Sequence, residues 1–231
     1  MSAKQRHISW VSAASAGLLV MVILIFASAG KAHNPARKDK DSDDKTDSRV
    51  RIGFSIAPVP LNLKHKNREL VGLGSYLVNA VADCNGCHSA GPQTQFLPGH
   101  NPFFGQREQV NPNTYLGGGR NFGPLIPGSA PIISRNLTPD KTGRPEGGET
   151  FQGFLRIMRT GVDPDHLHPT CTGAPNANCI PPPFDGSLLQ IMPWPAFRSL
   201  TDHDLRAIYE YLSAVPCVQG NYPGEPADRC Q

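Results

Sequence analysis

Five residues, Cys84-Asn85-Gly86-Cys87-His88, constrain this chain more than any other part of it. Two thiols three positions apart share one helical turn, and the residue after the second presents an imidazole beside them. That spacing lets both thiols add to the two vinyl groups of one haem while the imidazole binds its iron. Other uses of a Cys pair fit less well. A structural zinc site needs a second Cys or His pair at matching spacing, and none follows. A thioredoxin-like redox pair opens a helix after a strand, whereas the apolar periodicity here predicts a helix that runs into Cys84. A chain that wraps a large apolar group can be rich in loops, and 23 Gly and 23 Pro in 231 residues fit that.

The charge is uneven. Residues 1–65 carry ten Lys or Arg against five acids, and residues 66–231 carry twelve against fourteen. The excess lies in the N-terminal part, so a basic face for nucleic acid is not expected. Lys4, Arg6 and His7 precede an apolar run from Ile8 to Phe26, followed by Ala27-Ser28-Ala29. The small residues suit a cleaved export signal. The apolar length of about 19 residues approaches the ~20 that span a bilayer. For residues 1–29 an uncleaved transmembrane helix anchoring the chain to the inner membrane is the preferred expectation, with a cleaved signal as the alternative. Both put the remainder in the periplasm of a bacterium. Residues 30–66 read as a charged flexible linker, with Lys38-Asp39-Lys40-Asp41 and Asp43-Asp44-Lys45 followed by Pro58 and Pro60. Residues 67–231 are expected to form the single folded domain.

Three helices are predicted in that domain. Leu73, Tyr76, Leu77 and Ala80 form one apolar face of a helix starting near Glu69. Phe151, Phe154, Leu155 and Met158 do the same for a helix over 149–160 closed by Gly161. Leu205, Ile208, Tyr209 and Leu212 follow Thr201, an N-cap paired with Asp204 three residues on. The Gly117-Gly118-Gly119 run is no phosphate loop, because no Gly-Lys-Ser/Thr follows it.

A closed haem needs a second axial ligand. Met158 lies on an apolar helix face, where core packing is its expected role. Met192 lies in Ile191-Met192-Pro193-Trp194-Pro195, a proline-stiffened loop that should not be helical, and is the expected ligand opposite His88. His100, His166, His168 and His203 are the alternatives. Four further cysteines allow three pairings, and proximity favours Cys171–Cys179 with Cys217–Cys230 in an oxidising compartment.

Gly74-Ser75-Tyr76-Leu77 leading into the Cys84–His88 motif resembles the first helix of class I cytochrome c. Met192-Pro193-Trp194 and Thr201–Leu212 resemble its ligand loop and last helix. Asn136-Leu137-Thr138-Pro139-Asp140 resembles a middle motif of the branch that includes the cytochrome c subunits of membrane-bound bacterial alcohol and aldehyde dehydrogenases. The likeness covers roughly 68–216. It implies an all-α, loop-rich class I cytochrome c fold, with helices packed around one covalently bound haem c. It implies that the first and last helices cross tightly, a role open to Gly72, Gly74 and Tyr209, and that His88 and Met192 are the axial ligands, with Cys84 and Cys87 holding the haem. The implied role is electron carriage rather than catalysis, from a dehydrogenase donor to a cytochrome or oxidase acceptor. A haem enzyme or sensor with an open or labile sixth site is the alternative. Those subunits usually carry three haem domains, and this chain has one such motif; the Cys171–Cys179 loop looks like an insertion.

Overall fold

A computed structural model describes residues 40–166, 168–220 and 224–231. Helix α1 is Lys40–Ile56 and α2 is Arg68–Tyr76, extended by a π-helical turn, Leu77–Val81. The motif forms its own short helix, α3 (Cys84–His88). A two-stranded antiparallel sheet, β1 (Asn121–Pro124) and β2 (Pro131–Ile133), pairs Asn121 with Ile133. A tight turn, α4 (Pro145–Gly148), with non-helical backbone at Glu146 and Gly147, precedes α5 (Phe151–Thr160), and α6 (Trp194–Phe197) precedes α7 (Asp202–Leu212). The described chain is thus helix-rich rather than strictly all-α.

The caps follow the sequence. The Asn67 side chain accepts from the Glu69 and Leu70 amides, Thr150 from Gly153, and Thr201 from Asp204 at 3.1 Å. Each fills an amide that a helix start would leave unpaired. The core packs α2, the π-turn, α5 and α7 together through Val71, Leu73, Val78, Phe154, Leu205, Ile208 and Leu212.

Two close helix crossings set the geometry. At Gly74, an added Cβ would lie 1.9 Å from the Ala207 carbonyl oxygen, so α2 and α7 meet backbone to backbone. At Gly53, an added Cβ would lie 1.9 Å from the Gly72 carbonyl oxygen, so α1 and α2 meet in the same way. The expected role of Gly72 therefore shifts: it faces Val50 and Phe54 of α1, not the last helix. Tyr209 also turns elsewhere. Its ring stacks edge-on at 5.4 Å from Phe151, and its hydroxyl donates to the Glu149 carbonyl at 2.9 Å. Tyr211 is the tyrosine at the α2 crossing.

The stretch expected to be a flexible linker differs most. Residues 40–56 are helical, and Val50 and Phe54 pack on the core. The Gly53 carbonyl accepts from Ser75 Oγ at 2.7 Å, and the Arg68 guanidinium lies 4.5 Å from the Phe54 ring centre. Charge counting over the whole stretch hid Val50 and Phe54, four apart on one face.

The expectation of a transmembrane helix is corrected. Among the described residues no helix is long and apolar enough to cross a membrane. The longest, α1, has 17 residues and a charged first half. Residues 1–29, on which that expectation rested, lie outside the described residues.

Candidate functional site

The motif does not continue the preceding helix. The π-turn ends with the Ala82 amide donating to Leu77, and Asp83 is left-handed (φ 44, ψ 50). This break lets Cys84–His88 start a fresh turn at a new angle. Gly86 lies under the Asp83 side chain, and a Cβ there would push the exposed Asp83 carboxylate aside.

The glycine run braces the motif from behind. Asn85, buried, accepts from the Leu116 amide at 2.9 Å, and the Gly118 amide donates to the His88 carbonyl at 2.8 Å. Gly118 is left-handed (φ 66), and a Cβ would strike the Arg135 backbone at 2.4 Å. The Arg120 guanidinium donates to the Gly86 carbonyl. Sequence reasoning dismissed Gly117–Gly119 as a phosphate loop and found no other use for it; the use is this close approach.

His88 Nδ1 lies 2.7 Å from the Arg135 carbonyl oxygen. A carbonyl can only accept, so Nδ1 carries the hydrogen and Nε2 keeps its lone pair. Desolvation holds the imidazole pKa below its usual value, which favours the neutral ring. A neutral imidazole with its other nitrogen fixed by a carbonyl is the form that binds a metal. Burial, then the charges of Asp83 and Cys87, push the Cys84 thiol up to about 12.

Cys84, Cys87, His88 and Met192 all border one cavity of about 390 Å³, with Phe154, Met158, Ile208 and Leu212 supplying apolar wall. Met158 takes the expected core position, 5% exposed, and also borders the cavity. His168 borders it too, whereas His100 and His203 do not. The His166 side chain lies outside the described residues.

The Met192 loop is held at both ends. Leu189 donates its amide to the Gly161 carbonyl at 2.7 Å, and Trp194 Nε1 donates to Leu189 at 3.2 Å. Gly161, left-handed at φ 73, is where α5 ends and the Trp194 ring packs: a Cβ there would meet that ring at 2.4 Å. Ile191 is also left-handed (φ 69), a rare setting for a β-branched residue that persists only where surroundings impose it. The loop was expected to be non-helical. Instead α6 begins at Trp194, with Pro195 in its first turn, where the missing amide costs nothing.

Both expected disulfides are formed, Cys171–Cys179 and Cys217–Cys230. The first pins a cavity wall: Cys171 donates to the Ile180 carbonyl, Cys179 accepts from Ala130 beside β2, and Ile180 borders the cavity. Replacing Cys171 and Cys179 by Ser is expected to lower unfolding stability by roughly 2–3 kcal/mol, the loop-closure entropy of a short loop. Urea unfolding of the oxidised proteins measures it, and an unchanged midpoint would show that the loop adds no constraint. The second disulfide ties down the tail. The buried Arg229 donates to the Thr138 and Pro139 carbonyls, and Asn136 donates to the Val218 carbonyl. Asn136 is 1% exposed, so Asn136-Leu137-Thr138 is a structural turn.

Sequence reasoning missed the charged residues on the cavity, Asp83, Arg135, Glu146 and Asp163. Arg135 pairs with Asp163, and its Nη2 donates to the Glu146 carbonyl at 2.5 Å. Glu146 is 4% exposed, and its Oε2 has no hydrogen-bond partner. These residues come together from separate loops, and no spacing signals it.

The chain is 28% identical over 157 residues to the gluconate 2-dehydrogenase cytochrome c subunit of Pantoea cypripedii, covering 67% of this chain and 26% of that one. It is 29% identical over 146 residues to the fructose dehydrogenase cytochrome subunit of Gluconobacter japonicus, covering 63% and 21%. Both relatives are cytochrome subunits. The chain spans about a quarter or less of the length of these curated relatives. No family model matches it, and no solved structure matches it significantly.

Proposed function

We propose that this chain is a class I cytochrome c carrying one haem c, bound covalently through Cys84 and Cys87, with His88 and Met192 as axial ligands. The residues fit the group. The donor set is two thiols, an imidazole with a free Nε2 lone pair, and a thioether, all on one largely apolar cavity. That convergence carries the reading. The bound group would supply a one-electron couple, iron cycling between ferrous and ferric.

The chain's own residues do the rest. The Arg135 carbonyl orients the His88 ring, the Gly117–Gly119 brace fixes the motif, and the loop locked at Gly161 and Trp194 presents Met192. Apolar side chains on the cavity wall would keep water from the bound group and hold its ligand residues in place. Similarity to dehydrogenase cytochrome subunits supports a dehydrogenase as donor; a respiratory cytochrome or oxidase would take the electron onward. Two disulfides fit an oxidising compartment, the bacterial periplasm.

The test is expression with a haem-attachment system, followed by haem staining of the denatured chain and a count of haem per chain. One haem surviving denaturation is expected. It should be lost in the variant with Cys84→Ala and Cys87→Ala together. Wild-type chain without covalent haem would overturn the reading.

A further inference from the structure

Among the described residues, Glu146 is the carboxylate that is buried with an oxygen left unpartnered. It borders the same cavity as Cys84 and His88. Its position is imposed: Glu146 and Gly147 are both left-handed (φ 52 and φ 76), a turn that an L side chain rarely adopts. The cation beside it is already committed. Arg135 Nη1 pairs with Asp163, and Nη2 donates to the Glu146 backbone carbonyl and lies 3.9 Å from Asp165. Glu149 follows on the same turn, a further carboxylate acting on Glu146. One guanidinium thus serves several acids, and the Glu146 carboxyl has no counter-ion of its own. Burial, reinforced by Asp163 and Glu149 and opposed by Arg135, pushes its pKa up to about 7. Arg135 also links the group to the iron ligand, because its carbonyl holds the His88 ring.

We propose that Glu146 is a redox-linked proton site, whose carboxylate takes up one proton from solvent when the cavity gains an electron and releases it when the electron leaves. The inference rests on the haem reading above. The donor protein supplies one electron and ferric iron becomes ferrous; solvent supplies one proton and the Glu146 carboxylate becomes a carboxylic acid. Oxidation by the acceptor reverses both. An added electron raises the cost of a nearby buried anion, because like charges repel strongly where water is excluded. Protonation relieves that cost, so the ionised form favours ferric iron and the neutral form favours ferrous.

Rising pH must therefore lower the midpoint potential across neutrality. The experiment is spectroelectrochemical titration of the haem-loaded protein from about pH 5 to about pH 9, with proton uptake on reduction followed by an indicator dye in weak buffer. Wild type is expected to show a slope approaching at most about 59 mV per pH unit, the value for a tenfold change in one-electron equilibria. Glu146→Gln should be flat and take up no proton. Asp163→Asn removes an acid that raises Glu146, so its sloping range should move to lower pH. Should Glu146→Gln fail to fold, wild-type uptake and the Asp163→Asn shift decide the matter, and the absence of either overturns the proposal. A slope surviving in folded Glu146→Gln also overturns it. Covalent haem with a pH-independent midpoint removes this site and leaves the electron carrier standing, whereas a chain without covalent haem removes both.

Discussion

Gly74→Val is expected to cost about 3 kcal/mol or more, enough to leave a large fraction of the chain unfolded in mild denaturant. A Cβ at position 74 would lie 1.9 Å from the Ala207 carbonyl oxygen and 2.6 Å from its carbon, with Tyr211 Cβ at 2.7 Å. These atoms are the backbone and first side-chain atom of α7, so no rotamer change clears the space. The two helices must part, and they carry the core between them: Val71 and Leu73 on one side, Leu205 and Ile208 on the other. Gly74→Ala should show a smaller loss of the same kind. Gly173→Ala, where a Cβ would meet nothing within 4 Å, should be close to neutral. Urea unfolding followed by far-ultraviolet circular dichroism measures all three. Wild-type stability in Gly74→Val would mean that α2 and α7 do not cross here.

Met192→Ala is the second large effect, and it acts on the cofactor rather than the fold. The side chain is half-buried at the cavity edge, so its removal should leave the chain folded. The weak long-wavelength absorption of a methionine–ferric bond should disappear, and the midpoint should fall by on the order of 100 mV or more, axial-ligand identity being a main lever on haem potentials. The proof is the oxidised spectrum of the haem-loaded variant beside wild type. If the two spectra agree, Met192 is not the ligand. His168, which borders the same cavity, then becomes the candidate, or the sixth position is open and an enzyme is the better reading.

Three helices of the domain, those near Glu69, over 149–160 and after Thr201, were legible because each carries a local signal. Thr201 is a cap of short reach, and the stripes at Phe151–Met158 and Leu205–Leu212 repeat at helical period. Both disulfides followed from proximity along the chain. The helix over Lys40–Ile56 was not legible, because its second half is held by Gly53 lying on Gly72, a contact between distant residues. Tyr209 and Tyr211 show the same limit: two tyrosines on one helix, one facing α5 and one facing α2, separated only by which neighbour each meets.

By itself the sequence determined the chemistry of the motif, since thiol spacing and the following imidazole are properties of five consecutive residues. It determined Met192 as a candidate through the prolines beside it. Only tertiary structure decided that Cys84, Cys87, His88 and Met192 share one cavity, that the Arg135 carbonyl sets the His88 tautomer, and that Glu146 is buried among other acids. The reason is physical. Bond spacing and helical period are local, while desolvation and hydrogen-bond partnership depend on which distant segments fold against each other.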